Sequence, residues 1–418
     1  MRDQPGAIRR RSASWLAAVG LAAVAACSGP ATPASSPRAN PAHAPPAPSS
    51  TETQATGEPH PWQPVTRSPQ HAGAPQNELE SACTARDAAL ERAARFVAER
   101  ELAGKPPLDA EDVTLVLRAE GAPYVWPHIW SLAGTQAGAK APARFTAWLA
   151  ALPASQRRCG TAIARAPTGR EVAVGIALNV LADLEPLATR ANVGAWLDVR
   201  ARLLVPASDA KVLVLGPRGR PHSVPSSLAA GDVRARFHAD REGAFLVQVL
   251  ATVEGGPRPV AEAIVHAGAE PDVLVASTAA PGEEASGSGS PADTLARMLN
   301  AARESEGASS LRRDARLDRV ADAHARAMLA AGQLAHDAGD GSPNDRVVAA
   351  GVPATSVGEN VAHAADARHA HRTLWRSPSH RSNLLEPSYD AVGIGVAVDE
   401  DGAWWVCELF VRGSDGGR

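Results

Sequence analysis

The feature that most limits the fold of this chain is an apolar, alternating stretch near its C-terminus. Residues 392–398 alternate between branched aliphatic side chains and glycine or alanine, residues 399–402 have the composition of a turn, and residues 404–411 are apolar on both faces. This pattern predicts a β-hairpin. Because a sheet that is apolar on both faces needs a covering layer on each, the C-terminal fold is predicted to be an α/β/α sandwich.

Amphipathic segments that can supply these layers precede the hairpin. Apolar residues recur at helical spacing in residues 292–304, 314–331 and 364–375. Ser377-Pro378 then has the form of an N-cap followed by proline at the first position of a short helix that ends near Leu385. These segments predict helices on both sides of the sheet.

Polar residues of this region form a set of candidate ligands. His336 and Glu359 lie in residues 333–361, which are polar and glycine-rich and are predicted to be loop, where binding groups often lie. His380 falls in the first turn of the short helix, where free backbone N–H groups lower an imidazole pKa and favour the neutral, metal-binding form. His324 lies on the apolar stripe of the second helix, which favours a buried structural histidine over a ligand.

The N-terminus has the three parts of an export signal: a basic start, an apolar run over residues 15–26 and small residues before Cys27. The run is too short to span a bilayer as a mature helix. Val24-Ala25-Ala26-Cys27 resembles a lipobox, and a plain secretory signal is the alternative. We expect an exported chain that Cys27 anchors to the cell envelope by lipid, to the outer membrane in a Gram-negative cell, or a secreted one.

The chain of 418 residues is long enough for two or three domains. Its composition divides the remaining residues into segments of different character. Residues 28–76 are rich in proline, alanine and serine and predict a disordered tether. Residues 186–275 predict a β-sandwich resembling an immunoglobulin-like module, because short alternating strands follow one another there. The other predicted parts are a small helical or mixed unit at 77–185 with helices at 79–102 and 143–152, a flexible linker at 276–290 and the C-terminal domain at 291–413.

The unit at 77–185 contains a faint copy of the C-terminal pattern. Residues 159–176 resemble residues 392–409, and each stretch follows an alanine-rich helix that starts seventy to eighty residues upstream. The unit is therefore either a degenerate copy of the C-terminal domain without its histidines or an unrelated helical unit. Its aromatic cluster, Tyr124, Trp126 and Trp130, is read as core, with a ligand platform as the alternative.

The net charge limits the kinds of binding partner, and the cysteine content limits the possible disulfides. A net charge of −3 gives no basic field for nucleic acid, so no nucleic-acid partner is expected. With Cys27 assigned to lipid, Cys83, Cys159 and Cys407 remain in an oxidising compartment. A Cys83–Cys159 disulfide is favoured because Cys407 lies within an apolar strand, where a free thiol behaves as a small hydrophobic group.

The C-terminal domain resembles the CAP superfamily, named for cysteine-rich secretory proteins, antigen 5 and pathogenesis-related proteins, in its bacterial secreted form. The resemblance covers about 120 residues and rests on ordered motifs: Leu299-Asn300 with Arg303, Ala321–Ala327, Leu334-Ala335-His336, Asp345-Arg346, Gly358-Glu359-Asn360-Val361, Trp375–Arg381 with Asn383, and Tyr389–Gly395. It implies a central cleft lined by His336, Glu359 and His380, in which the two histidines hold zinc or another divalent cation. A second glutamate found in many relatives is replaced here by Pro378.

Three functions stay open at this point. The first is a non-catalytic envelope or extracellular module that binds a metal and a small-molecule, lipid or polysaccharide ligand. The second is a zinc-dependent hydrolase in which Glu359 is the general base. The third is a purely structural cleft of hydrogen-bonded histidine and glutamate. A single carboxylate and the lack of an HExxH or GxSxG motif favour the first function.

Overall fold

The computed structural model describes residues 65–106, 108, 110–153, 155–270, 279–285, 287–400 and 402–413. The predicted export signal, Cys27 with its lipobox and residues 28–64 of the predicted tether lie outside these ranges. Within them, no helix combines the length and hydropathy needed to cross a membrane.

The first unit is a three-stranded antiparallel sheet, in the order β2-β4-β3, with helices on both faces. Helix α2 packs on the face that carries Val172 and Val174, whereas α4 packs its Phe145 against Ala173 and Ala177 on the other face. The elements are β1 (Val65–Thr66), α1 (Glu78–Ser81), α2 (Ala88–Leu102), α3 (Ala110–Ala119), β2 (His128–Gly134), α4 (Ala137–Ala151), β3 (Arg157–Arg165) and β4 (Glu171–Asn179).

The single helix predicted at 79–102 is wrong, because the chain is interrupted between α1 and α2. A disulfide joins Cys83 to Cys159 on β3, and Asp87 caps α2 by accepting hydrogen bonds from the N–H groups of Ala89 and Leu90. The tether prediction is also wrong for residues 65–76. Strand β1 pairs within the fold, and the buried Gln70 amide donates to the Gly121 carbonyl at 2.8 Å.

The second unit consists, in the described residues, of a five-stranded and a four-stranded sheet in the orders β10-β9-β13-β14-β7 and β11-β12-β8-β5. Both sheets contribute to one core, which includes Val199, Val212, Phe237 and Val247. The unit begins before the predicted residue 186, since β5 pairs with β8. The strands of the two sheets are β5 (Ala182–Leu184), β7 (Arg190–Ala191), β8 (Ala195–Leu203), β9 (Asp209–Leu215), β10 (His222–Val224), β11 (Ser226–Ala229), β12 (Asp232–Ala239), β13 (Gly243–Val253) and β14 (Gly256–Ala267). Strand β6 (Leu187–Ala188) pairs instead with β1 of the first unit.

The third unit has the predicted α/β/α layers around a sheet in the order β15-β17-β18-β16. Helices α5 and α8 pack with Val392 and Phe410 on one face, and α6 packs with Cys407 and Leu409 on the other. The elements are a short 3-10 helix (Glu283–Ala285), α5 (Pro291–Ser305), β15 (Arg312–Arg313), α6 (Ala315–Ala331), α7 (Pro343–Ala349), β16 (Ala354–Ala364), α8 (Ala367–Arg376), α9 (Pro378–Leu384), β17 (Ala391–Val398) and β18 (Trp404–Gly413).

Two segments predicted to lack structure are ordered where the structure describes them. Residues 333–361 contain α7, which opens with a capping box of Ser342 and Asp345, and most of β16. The predicted linker holds a buried carboxylate at Glu283, whose two oxygens each lie 2.5 Å from the guanidinium of Arg372. Burial and ion pairing hold this segment against α8. Its Gly- and Ser-rich composition gave no sign of this contact.

The first and third units share a hairpin register and a helix contact. Gly160 lies opposite Ile176 in the β3–β4 hairpin, as Gly393 lies opposite Leu409 in the β17–β18 hairpin. A Cβ atom at Gly160 would come within 2.3 Å of the α2 backbone, and one at Gly393 within 2.1 Å of the α6 backbone. Glycine is therefore required where each strand meets its helix.

Candidate functional site

Glu359 on β16 is the centre of the site and is buried. Its Oε1 lies 2.9 Å from Nδ1 of His336, and its Oε2 is paired with the guanidinium of Arg346. A carboxylate paired with arginine accepts hydrogen bonds, so Nδ1 of His336 is the donor, and in the neutral imidazole Nε2 then keeps a free lone pair. The buried thiol of Cys407 also lies 3.4 Å from Oε2. Both oxygens of Glu359 thus already have partners.

A second layer of polar side chains supports this pair. His324 is fully buried, with Nδ1 2.8 Å from the Asp340 carboxylate and Nε2 3.0 Å from the Ala335 carbonyl. This is the structural environment predicted for it. Burial opposes ionisation of Asp340, but the hydrogen bond and charge of His324 outweigh it and lower the pKa of that carboxyl group. Arg346 bridges the layers by donating to the carbonyl of His336 at 3.0 Å.

His380 lies on α9 at the same groove, and its side chain is nearly buried. Burial lowers its pKa to about 3, and the nearby His336 imidazole acts in the same direction. The neutral form was predicted, but its main cause is desolvation rather than the start of the helix. In the described residues, Nδ1 of His380 has no hydrogen-bond partner.

Asn360 and Glu408 extend the site beneath His380. The Asn360 amide donates to the His380 carbonyl at 3.2 Å and to the Glu408 carboxyl group at 3.3 Å. Burial raises the pKa of Glu408 to about 7. Neither residue was assigned a role from the sequence. The signal that could have identified Glu408 is its position as a glutamate in the middle of an otherwise apolar strand.

The sandwich covers part of the groove. The β13–β14 turn places the Gly255 carbonyl 3.1 Å from the N–H of His336, and a Cβ atom at Gly256 would lie 2.9 Å from the Cβ of His336. On the other side, Gln248 accepts from the N–H of Ser379 at 3.0 Å. The open part of the groove has a volume of about 760 Å³ and is lined mainly by polar side chains. The site is therefore built by two units of the fold.

The donor atoms limit what metal could bind. Across the described ranges, no group of three or more His, Cys, Asp and Glu side chains is arranged to hold a metal ion. Glu359 orients His336 through Nδ1, as carboxylates commonly do for metal-binding histidines, and leaves Nε2 free. His336 and His380 line the same groove, so their imidazoles are the protein donors that a divalent ion there could use, and water or ligand would have to supply the rest of its shell.

Residues 296–409 match the model of the Cysteine-rich secretory protein family, CAP, so the C-terminal domain of this chain is a CAP domain. The search of curated proteins found no match.

Among solved structures, an outer surface protein from Borrelia burgdorferi is similar, with 19% identity over 29% of this chain and 92% of its own and a TM-score of 0.28. An extracellular SCP-domain protein from Bacillus anthracis has 16% identity over 56% of this chain and 86% of its own, with a TM-score of 0.26. A cysteine-rich secretory protein from Staphylococcus aureus has 14% identity over 56% and 83%, with a TM-score of 0.25.

Proposed function

We propose that this chain is a non-catalytic binding protein of the cell envelope, exported and anchored by lipid on Cys27, or secreted if the signal is cut without lipidation. Its CAP cleft holds a divalent cation such as zinc through His336 and His380, and presents the cation to a small-molecule, lipid or polysaccharide ligand. The bound ion would supply a positive charge and an open coordination position for an oxygen of that ligand.

The observation that carries this proposal is the environment of Glu359. A general base needs a carboxylate oxygen within hydrogen-bond reach of the proton that it abstracts. Here one oxygen faces His336 and the other is paired with Arg346, so both oxygens already have partners within the protein. These contacts favour an orienting role for Glu359 over the hydrolase alternative.

The purely structural alternative is disfavoured by His380. Buried polar groups normally have hydrogen-bond partners. Nδ1 of this imidazole has none in the described residues, although the side chain lies beside an open groove. A ligand or metal ion at the cleft gives the imidazole a role that a closed structural network does not.

Two further assignments belong to the proposal. We assign residues 77–185 as a degenerate CAP-like copy, because the first and third units share their hairpin register and helix contact. In that register Ile129 takes the place of Glu359, so the copy has no equivalent of the cleft carboxylate. The sandwich, which we assign as immunoglobulin-like, would then serve to hold the two CAP-like units together.

The test is metal retention by the mature chain after exposure to zinc and thorough dialysis. We expect about one zinc per chain in the wild type. The expected result is that His336→Ala and His380→Ala each lose the ion, whereas His222→Ala, at an exposed histidine of the sandwich, retains it. A wild type that retains no zinc, or variants that retain as much as the control, would contradict the metal site.

Glu359→Gln separates binding from hydrolysis. The amide keeps an oxygen that can accept from Nδ1 of His336, so zinc is retained, although more weakly. Hydrolysis of peptide or ester substrates by the zinc-loaded wild type, lost in Glu359→Gln while zinc stays bound, would favour the hydrolase instead.

A further inference from the structure

A second cavity lies where the three units meet, on the other side of the β13–β14 turn from the polar groove. Its volume is about 380 Å³, within the range of small-molecule sites. Helix α3 and the start of β2 supply one wall, β14 another, and β16, α8 and α9 the third. Its apolar lining includes Val125, Trp126, Pro259, Leu334, Ala362 and Trp405. This cavity is called the chamber below.

Of the three cleft residues His336, Glu359 and His380, one lines both the chamber and the polar groove. His380 lines both, whereas His336 and Glu359 line the groove and not the chamber. A narrow space of about 40 Å³ under the Gly255–Gly256 turn lies between them, with Trp126 and His336 in its lining. The two spaces therefore differ in most of their lining and meet at His380 and Pro259.

Trp126 is built into the chamber wall at a conformational cost. Its φ of 61° is in the left-handed region that bulky residues rarely adopt. Its Nε1 donates to the Pro259 carbonyl at 3.1 Å, and the Arg258 guanidinium lies 5.3 Å from the ring centroid. The ring nevertheless stays 36% exposed. A strained, fixed and partly exposed indole is better explained as a binding wall than as core, which corrects the interpretation of Trp126 as core.

The charges of the wall exclude a strongly ionic ligand. Among the described lining residues, the side chains of arginine, lysine, aspartate and glutamate are limited to Arg118 and Glu262. These two form a buried ion pair with each other. His128 also lines the chamber, and burial lowers its pKa, which favours the neutral form. A charged ligand would be desolvated there without a free counter-charge.

We propose that the chamber binds an uncharged, largely apolar molecule, such as a medium-chain ketone, ester or alcohol. Its apolar part packs against Trp126, Leu334 and Ala362. The inference rests on the proposed binding function and adds to it the class of ligand, at a site next to the polar groove.

The test uses the uncharged fluorophore N-phenyl-1-naphthylamine and its displacement by 2-decanone, both titrated into the full mature chain. We expect saturable fluorescence enhancement by the wild type. Ala110→Trp, which fills the chamber from an exposed position at its rim, and Trp126→Ala, which removes a wall, are each expected to weaken binding at least tenfold. Trp196→Ala, at an exposed indole of the sandwich, is the matched control and leaves binding unchanged.

Absence of binding to the wild type, or equal affinities in Ala110→Trp, Trp126→Ala and the control, would overturn the proposal.

His336→Ala distinguishes the chamber from the metal cleft. Zinc retention fails in this variant if the proposed cleft is correct, while fluorophore binding persists if the chamber is the binding site. Loss of fluorophore binding in His336→Ala together with normal binding in Ala110→Trp would place the probe in the polar groove and refute the chamber. Fluorophore binding as expected in a wild type that retains no zinc would refute the metal site alone.

Discussion

Glu408 is a fully buried carboxyl group in the middle of β18, on the face that also carries Val406 and Phe410. One of its oxygens accepts from the Asn360 amide at 3.3 Å, and the other has no partner among the described residues. Burial therefore favours the protonated form and raises the pKa from its ordinary 4.5 to about 7. Replacing it with glutamine keeps the shape and removes the titration.

The magnitude follows from the two pKa values. At about 1.4 kcal/mol per pH unit, a pKa raised from 4.5 to about 7 corresponds to about 3 kcal/mol. The folded chain keeps this proton up to about pH 7, whereas the unfolded chain releases it near pH 4.5. The stabilisation is therefore fully present below pH 4.5 and is lost as the pH rises through 7. Between pH 5.5 and 8 the wild type loses about 2 kcal/mol from this group.

The assay is urea unfolding of the wild type and Glu408→Gln at pH 5.5 and 8. We expect the variant to gain stability relative to the wild type by about 2 kcal/mol on going from pH 5.5 to 8. Glu400→Gln, at an exposed carboxylate in the turn of the same hairpin, is the control and should follow the wild type. A difference between Glu408→Gln and the wild type that is independent of pH would refute the reasoning.

Two further predictions concern a covalent link within the first unit and a contact between the sandwich and the CAP domain. Replacing Cys83 and Cys159 with alanine opens a link across 76 residues and is expected to lower the free energy of unfolding by about 4 kcal/mol in oxidising buffer, whereas under strong reductant the two proteins should unfold alike. Gln248→Leu leaves the buried Glu262 carboxylate and the Ser379 N–H without their amide partner, and should destabilise the chain by about 2 to 3 kcal/mol in urea unfolding. An unchanged midpoint for this variant, equal to that of Gln136→Leu at an exposed site, would show that the contact between sandwich and CAP domain carries no energy.

Much of the C-terminal fold was predictable because its apolar pattern is strong. The alternation in residues 391–398 and the apolar faces of α5, α6 and α8 follow directly from packing against one sheet. Strand β16 was missed for a physical reason. Its buried residues include Glu359 and Asn360, so the part of the strand that forms the site lacks the apolar signal of a strand.

The side chains that contact the candidate site residues were harder to predict than the site residues themselves. The resemblance named His336, Glu359 and His380, but no pattern in the chain indicates that Arg346 pairs with Glu359, because that contact depends on how α7 packs beside β16. The chamber and the turn at Gly255 arise from docking between units. Such contacts join residues far apart in the sequence, and local periodicity carries no information on them.

The central claim is that Glu359 holds His336 in one tautomer and leaves Nε2 free for a ligand or metal. Nitrogen-15 NMR of the imidazoles in histidine-labelled chain tests it directly, with His336→Ala used to assign the signal. We predict that Nδ1 of His336 carries the proton and Nε2 does not, that Glu359→Gln weakens this preference, and that zinc shifts Nε2 rather than Nδ1. A protonated Nε2 in the metal-free wild type, or a zinc shift at Nδ1, would contradict the account.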